Sequence, residues 1–188
     1  MTTAPGTPFL VEYESDNNPM RGSGEMDKAV RDGVNRQIGH ELKAGYLYLA
    51  MSAHFERESL LGFASWMREQ AQEELGHAMK LFDFMNHRGA KVDLGAVEAP
   101  PSDFGAPLEI FQAALEHEQE VTKLIHELYD LCVENHDHAT QLELNWFITE
   151  QVEEEASVGT IVDQVRMAGD NEAAILMLDR ELGARGGG

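Results

Sequence analysis

The sequence has little cysteine: Cys132 is the only one in 188 residues. A single cysteine excludes an intrachain disulfide and a CxxC metal knuckle, and it fits a reducing cytoplasm, where we expect the protein to be located. The N-terminus lacks a basic segment followed by an apolar one, so it does not indicate a signal peptide. The sequence also lacks an apolar run long enough to span a bilayer, so no membrane association is expected.

Basic residues are scarce, with 14 lysines and arginines against 34 aspartates and glutamates, for a formal net charge of −20 at pH 7. Such a charge repels phosphate backbones and attracts cations. Nucleic acid is therefore not expected as a partner. A solvated acidic surface is the alternative explanation of the charge until the positions of the acids are considered.

Proline is absent from two long tracts, 20–99 and 108–188. Because proline costs about 3 kcal/mol inside a helix, both tracts favour long helices. Residues 1–24 mix Pro, Gly, Asn, Thr and Ser without a period. We predict a flexible N-terminal extension over 1–24, one folded domain over 25–183 and a disordered tail over 184–188.

Apolar residues recur with a helical period, and no segment alternates with the two-residue period of a strand. The predicted fold class is therefore all-α, an antiparallel four-helix bundle with a short fifth helix. Ser59 is expected to cap the second helix and Gly89 to end it. The Pro- and Gly-rich stretch 91–107 predicts a long crossover between helices two and three. The predicted helices cover residues 25–53, 59–87, 108–134, 139–167 and 171–182.

Each of the four long predicted helices has an apolar seam that polar residues interrupt near its middle. An unpaired carboxylate is costly to bury, so an interruption on every helix is hard to explain as an accident of packing. Potential donors in this inward set are few, namely His77, Gln151 and Tyr48. A cation would balance the charges, with a hydrogen-bonded polar core as the alternative. The interrupting ligand candidates are Glu41, Glu74, His77, Glu118, Gln151 and Glu154.

These candidates repeat with one spacing in the two halves of the chain. In each half the first residue precedes the other two by 33 and 36 positions: Glu41 with Glu74 and His77, and Glu118 with Gln151 and Glu154. Residues equidistant from the turn of an antiparallel hairpin lie at one height, so both hairpins bring their polar residues to one level. A carboxylate able to bridge two ions, with an imidazole and further carboxylates, suits a pair of iron ions.

The sequence resembles bacterial non-haem ferritins from about Met26 to Gly183. The matching stretches are QIGHELKAGYLYLAM, WMREQAQEELGHAMKLFDF, EHEQEVT, WFITEQVEEEASV and LMLDRELG. The resemblance implies an iron-storage protein with a ferroxidase centre. In that centre Glu41, Glu74 and His77 hold one iron, and Glu74 bridges to a second. Glu118 would hold the second iron, flanked by Gln151 and Glu154.

Further residues match functional positions of that family. Glu73, Glu150 and Glu153 match the carboxylates of an accessory third iron site, for which a solvated helix face is the alternative. Tyr48 and Trp146 match aromatic residues beside the centre, and we include Tyr48 among the catalytic candidates. Core packing is the alternative for both rings.

The resemblance also implies a hollow homo-oligomer of 24 subunits with octahedral symmetry, whose fourfold axes the fifth helix would line. Ferrous iron and dioxygen, or peroxide, would be its substrates. Haem is not expected, because Gln151-x-x-Glu154 and Leu75 replace the second Glu-x-x-His and the methionine of bacterioferritins. Gln141 and Leu144 replace the acids that line the threefold channel of animal ferritins, which leaves the entry route undefined.

Several other functions fit the same residues. A rubrerythrin-like peroxidase or a substrate oxidase would share the two-metal centre, although no CxxC pair is present for a rubredoxin module. A shell could also store iron passively with a degraded centre, or a bundle could use the polar residues for register alone. DNA-protecting mini-ferritins fit less well, because they bind metal between subunits and lack the terminal helix.

Overall fold

The computed structural model describes residues 25–185, and it confirms the all-α prediction. Five helices follow one another as α1 (Lys28–Arg57), α2 (Leu61–His87), α3 (Pro107–Glu134), α4 (His138–Ala168) and α5 (Glu172–Arg185). No strand occurs within this range. Residues 88–106 contain no helix and form the predicted crossover. The predicted extension 1–24 lies outside the described residues.

Of the two predicted helix-end residues, Ser59 and Gly89, the structure confirms one and corrects the other. Ser59 does not cap α2. It has a φ of 60°, and its N–H bonds to the Glu56 carbonyl at 3.2 Å, so it closes the turn that ends α1. The first turn of α2 begins after Leu60, which has no capping side chain. Gly89 ends α2 as predicted, with a φ of 64°, a conformation that suits glycine.

The first turn of α2 receives its cap from α5. The Asp179 carboxylate accepts a hydrogen bond from the Phe63 N–H at 2.9 Å, across 116 positions of sequence. Close backbone packing accompanies this bond, because a Cβ added to Gly62 would lie 1.6 Å from the Asp179 carbonyl oxygen. Glycine at position 62 therefore allows α5 to dock on the bundle.

The fifth helix is longer than predicted. It ends at Arg185 rather than near residue 182. Two residues of the predicted disordered tail, 184 and 185, are therefore helical, and 186–188 lie outside the described part of the chain. No helix within 25–185 is both long and apolar enough to cross a membrane.

The interior of the bundle contains two apolar clusters. One is centred on Phe55, Phe63 and Phe111, whose rings lie 5.2–5.6 Å apart, and the other includes Ile38 and Phe147. Each of the four long helices contributes to both clusters, and on each helix the predicted ligand positions fall between the two contributions. The fold thus places one polar level between two apolar ends.

Candidate metal centre

The polar level brings together all six predicted ligand candidates. All are buried, with 0–8% of each residue exposed. Helices α1 and α3 contribute one carboxylate each, and α2 and α4 contribute two residues each. The residues are Glu41, Glu74, His77, Glu118, Gln151 and Glu154.

Two sets of ligand atoms lie close enough to hold an ion. Glu41, Glu74 and His77 each offer one atom within 4.8 Å of the others, and so do His77, Glu150 and Glu154. In the first set, His77 Nδ1 lies 3.3 Å from Glu74 Oε2. His77 belongs to both sets, so the two groups share one imidazole.

Two carboxylate oxygens in the first set have no hydrogen-bond partner. Oε2 of Glu41 and Oε2 of Glu74 are both fully buried and accept no hydrogen bond within the described chain, although His77 Nδ1 lies 3.3 Å from Oε2 of Glu74. The other oxygen of Glu41 accepts a hydrogen bond from Gln37 Nε2 at 2.8 Å. Buried polar atoms without partners are rare because they lose their hydration without compensation, and a bound cation would supply it.

On the α3–α4 side of the centre, both carboxylate oxygens of Glu118 accept hydrogen bonds. The Tyr48 hydroxyl donates to Oε1 of Glu118. The Gln151 amide donates to Oε2 of Glu118 at 3.2 Å and to Oγ1 of Thr122 at 3.3 Å. The Thr122 hydroxyl donates in turn to Glu155 at 2.6 Å. These hydrogen bonds hold the Glu118 side chain in place without an ion.

Burial dominates the electrostatics of the centre. It raises the pKa of Glu41 and of Glu74 well above the ordinary value, and neighbouring carboxylates raise them further. The pKa of Glu118 is also raised by burial, against the opposing effect of its hydrogen bonds from Tyr48 and Gln151. Burial together with the charge of Glu118 raises the pKa of Glu154 to about 7.

His77 is the one base of the described chain that contacts these carboxylates, at 3.3 Å from Glu74, and its charge opposes only part of this effect. Within residues 25–185, no lysine or arginine forms an ion pair with the four buried glutamates of the level. Positive ions are the remaining means of holding all four carboxylates ionised at neutral pH.

The predicted accessory residues are not gathered into one group. Glu150 approaches His77 and Glu154, whereas Glu73 and Glu153 belong to neither set of close ligand atoms in the described chain. Glu73 instead accepts a hydrogen bond from Gln70. An accessory site at these residues therefore stays a prediction.

The two aromatic residues lie beside the centre as the resemblance implied. The Trp146 ring packs edge-on at 5.3 Å from the His77 ring, and with 39% of the residue exposed it is not part of the core. Lys80 Nζ lies 4.7 Å from the centre of the indole ring and 3.2 Å from Glu143. Trp146 therefore stands between His77 and the solvent.

Two residues that support the ligands, Gln37 and Thr122, are not among the predicted site residues. Gln37 lies one helical turn before Glu41 on the same face, so the i, i+4 spacing could have identified it. Thr122 lies one turn after Glu118 and could have been found by the same rule.

The chain is similar to known proteins over most of its length. The family profile described as a Ferritin-like domain matches residues 31–168, a range that contains all six buried candidates. The chain is 42% identical over 160 residues to a bacterial non-heme ferritin of Bacteroides fragilis (strain 638R), covering 85% of this chain and 99% of the relative. It is 39% identical to a bacterial non-heme ferritin of Staphylococcus aureus (strain USA300), covering 85% and 96%.

Solved structures agree with these matches. A crystal structure of a novel open pore ferritin from the hyperthermophilic archaeon Archaeoglobus fulgidus has a TM-score of 0.83 and 47% identity, covering 84% of this chain and 98% of that one. A closed form engineered from the Archaeoglobus fulgidus ferritin by site-directed mutagenesis has the same TM-score and 48% identity, covering 84% and 96%.

Proposed function

The chain belongs to the ferritin family, and we propose that it binds ferrous iron in the buried centre, oxidises it with dioxygen or peroxide, and stores the ferric product inside a shell of its own copies. The unpartnered oxygens of Glu41 and Glu74 carry this proposal. They are buried, they lie in a level rich in carboxylates, and the one basic side chain that contacts them in the described chain is the His77 imidazole, so a cation is the ligand that compensates them.

The six side chains divide into two binding positions. Glu41, Glu74 and His77 would hold one ferrous ion, because their ligand atoms already lie within 4.8 Å of one another. Glu74 can bridge to a second ion held by Glu118, with Gln151 and Glu154 beside it. Tyr48 would position Glu118 through its hydroxyl hydrogen bond. Carboxylate oxygens and an imidazole suit iron in both oxidation states.

The oxidation needs two ferrous ions for each dioxygen. Each ion gives up one electron, and dioxygen takes up both electrons and two protons to become hydrogen peroxide. Anionic ligands favour the ferric ion, which has the higher charge, and so promote the loss of the electron. Protons displaced from the carboxyl groups when the ions bind are available near the reaction, because burial raises the pKa of Glu41 and Glu74.

The products would accumulate in an assembled shell, and we propose 24 subunits with octahedral symmetry and a cytoplasmic location. The similar archaeal protein is described as an open pore ferritin, and a closed form of it was engineered by mutagenesis, so one fold supports two kinds of shell. Imaging of particles by cryo-electron microscopy would distinguish a closed octahedral shell from an open one. A mass near that of a dimer would exclude both.

The route by which iron enters stays separate from this proposal. Leu144 is fully buried in the core, and the Gln141 amide donates to the Cys132 carbonyl at 3.1 Å. Neither residue supplies the acid that animal ferritins have at these positions. We therefore do not place the entry route at this pair.

An anaerobic soak of crystals in ferrous iron tests the centre most directly. The expected result is two strong anomalous peaks among Glu41, Glu74, His77 and Glu118. An empty level, with these glutamates hydrogen-bonded to water, would favour a purely structural bundle.

Oxygen uptake tests the reaction. With two ferrous ions added per subunit, the assembled protein should consume oxygen much faster than buffer alone. Ion binding without accelerated oxygen uptake would favour passive storage. Rapid turnover of peroxide by a small oligomer would instead favour a rubrerythrin-like enzyme.

A further inference from the structure

Gln37 lies behind the metal centre on α1 and has no role in the ligand set described above. Only 2% of the residue is exposed, and its amide Nε2 donates to Oε1 of Glu41 at 2.8 Å. The bond occupies one of the two oxygens of Glu41 and leaves Oε2 free. The buried amide therefore makes Oε2 the oxygen of Glu41 with more lone pairs available to an ion.

A cleft between α1 and α3 opens on the other side of Gln37. It has a volume of about 100 Å³, and its lining includes Gln37, Arg36, His40 and Glu127. That volume is large enough to hold water. Arg36 and Glu127 are exposed, so the cleft connects the buried amide with the surface. The remaining polar atoms of the amide thereby have access to water while one N–H stays on Glu41.

The second half of the centre has no such residue. The two halves are offset by 77 positions, and Ala114 occupies the position on α3 that corresponds to Gln37 on α1. Glu118 is instead held by Tyr48 and by Gln151 from across the bundle. A glutamine one helical turn before the ligand glutamate is therefore present on the Glu41 side and absent from the Glu118 side.

We propose that Gln37 is a positioning residue that restricts Glu41 to binding an ion through Oε2 alone. The hydrogen bond uses one lone pair of Oε1 and weakens that oxygen as a metal donor, so chelation by both oxygens would compete with the hydrogen bond and is disfavoured. A glutamate bound through one oxygen occupies one coordination position rather than two. The position left open is available to the oxidant, which connects Gln37 with the rate of oxidation.

The effect on rate rests on the proposed function, whereas the effect on coordination does not. Crystals soaked in Zn²⁺, which has no redox chemistry, report the coordination directly. Wild-type crystals should show one Glu41 oxygen within bonding distance of the ion. In Gln37→Met, which keeps the length of the side chain and removes the donor, both oxygens should bind.

The rate of ferrous oxidation supplies the second readout. Gln37→Met should slow it about 10- to 100-fold, the usual range for a residue that orients a metal ligand. Gln37→Asn is a second variant that keeps an amide but is too short to reach Glu41, and it should behave as Gln37→Met does. Gln119→Met is the matched control, because Gln119 is exposed on α3 beside Glu118.

Two results would overturn the inference. One is a zinc-loaded wild-type crystal with both Glu41 oxygens on the ion. The other is one-oxygen binding at the wild-type rate in both Gln37 variants. If zinc is bound through one oxygen of Glu41 in wild type and through both in Gln37→Met, but wild-type protein does not oxidise iron, the role of Gln37 stands and the proposed function fails.

Discussion

The two hairpins of the bundle present the centre with half-sites of equal spacing and unequal chemistry. In the α1–α2 half, Glu41 and Glu74 each keep a buried oxygen without a partner. In the α3–α4 half, hydrogen bonds from Tyr48 and Gln151 occupy both oxygens of Glu118. The first half leaves two buried oxygens that accept no hydrogen bond, whereas the second half holds Glu118 by hydrogen bonds without an ion.

This difference has an energetic consequence. An ion that enters the first half supplies partners that the buried oxygens lack, whereas an ion that enters the second half competes with existing hydrogen bonds. We therefore expect the first half to bind the first ion and to bind it more tightly. The second half suits an ion that binds and leaves more readily.

Substitution of one glutamate in each half tests the comparison with the largest expected effect. Glu74→Ala removes a ligand of the first half and the proposed bridge, so the affinity for the first Zn²⁺ should fall more than about 100-fold, beyond the range of an outer-shell residue. Glu154→Ala should lower the same affinity by about tenfold or less. Competition with a chromophoric chelator measures both constants.

Ferrous oxidation should be lost in Glu74→Ala, because two ions can no longer be bridged. Wild-type oxidation in this variant would show that Glu74 does not bridge. Equal losses of zinc affinity in Glu74→Ala and Glu154→Ala would remove the distinction between the halves.

The pH dependence of metal binding is a second test of the difference between the two halves. An ion must displace the protons that the buried carboxyl groups retain, so affinity should rise with pH by about tenfold per unit for each proton displaced. The pKa of Glu154 is raised to about 7, whereas those of Glu41 and Glu74 are raised well above the ordinary value. Zinc titrations at pH 5.5, 6.5 and 7.5 should therefore show affinity increasing throughout.

The stability of the metal-free protein should change in the opposite direction. A carboxyl group whose folded pKa is raised holds its proton where the unfolded chain has lost it, so its contribution is present below about pH 4.5 and is lost as pH rises. For Glu154 this loss is complete above about 7. In Glu154→Gln, both the zinc affinity and the free energy of unfolding of the metal-free protein should change less with pH below pH 7. If neither pH dependence changes, Glu154 does not have the raised pKa.

Tyr48→Phe gives the smallest expected effect and makes the halves more alike. Removing the hydroxyl leaves an oxygen of Glu118 without its donor, which should destabilise the metal-free protein by about 1 kcal/mol. The melting temperature should fall by about 2–4 °C, and Zn²⁺ should restore more stability to the variant than to wild type. Calorimetry with and without Zn²⁺ measures both effects.

The exposed Tyr46 provides a control for this substitution, since Tyr46→Phe removes a hydroxyl from the same helix at a residue that is 49% exposed. It should leave the melting temperature and the response to Zn²⁺ unchanged. Equal behaviour of the two variants would show that the hydrogen bond of Tyr48 does not distinguish the halves.

The ligand candidates were predictable because two regularities in the sequence locate them. The heptad spacing of apolar residues identifies the inward face of each helix, and Glu118 interrupts the seam of α3 between Ala114 and Val121, all of which are buried. The repeated 33- and 36-residue spacing then places both hairpins at one level. These arguments need only helix geometry and short turns.

The helix ends were less predictable. Ser59 has the residue type of an N-cap but lies in a left-handed turn, because α1 continues to Arg57 and uses Ser59 to close its end. The cap of α2 comes from Asp179, which is 116 positions away from Phe63. Local composition contains no information about a partner at that separation.

By itself, the sequence determined the fold class, the four helices of the bundle and the level at which their polar residues meet, because periodicity and proline placement act through local backbone geometry. Only the tertiary structure decided which carboxylate oxygens are free and which are hydrogen-bonded. That choice depends on contacts between helices, such as the one between Tyr48 and Glu118. The distances between packed helices set these contacts, and the spacing of residues along one helix does not.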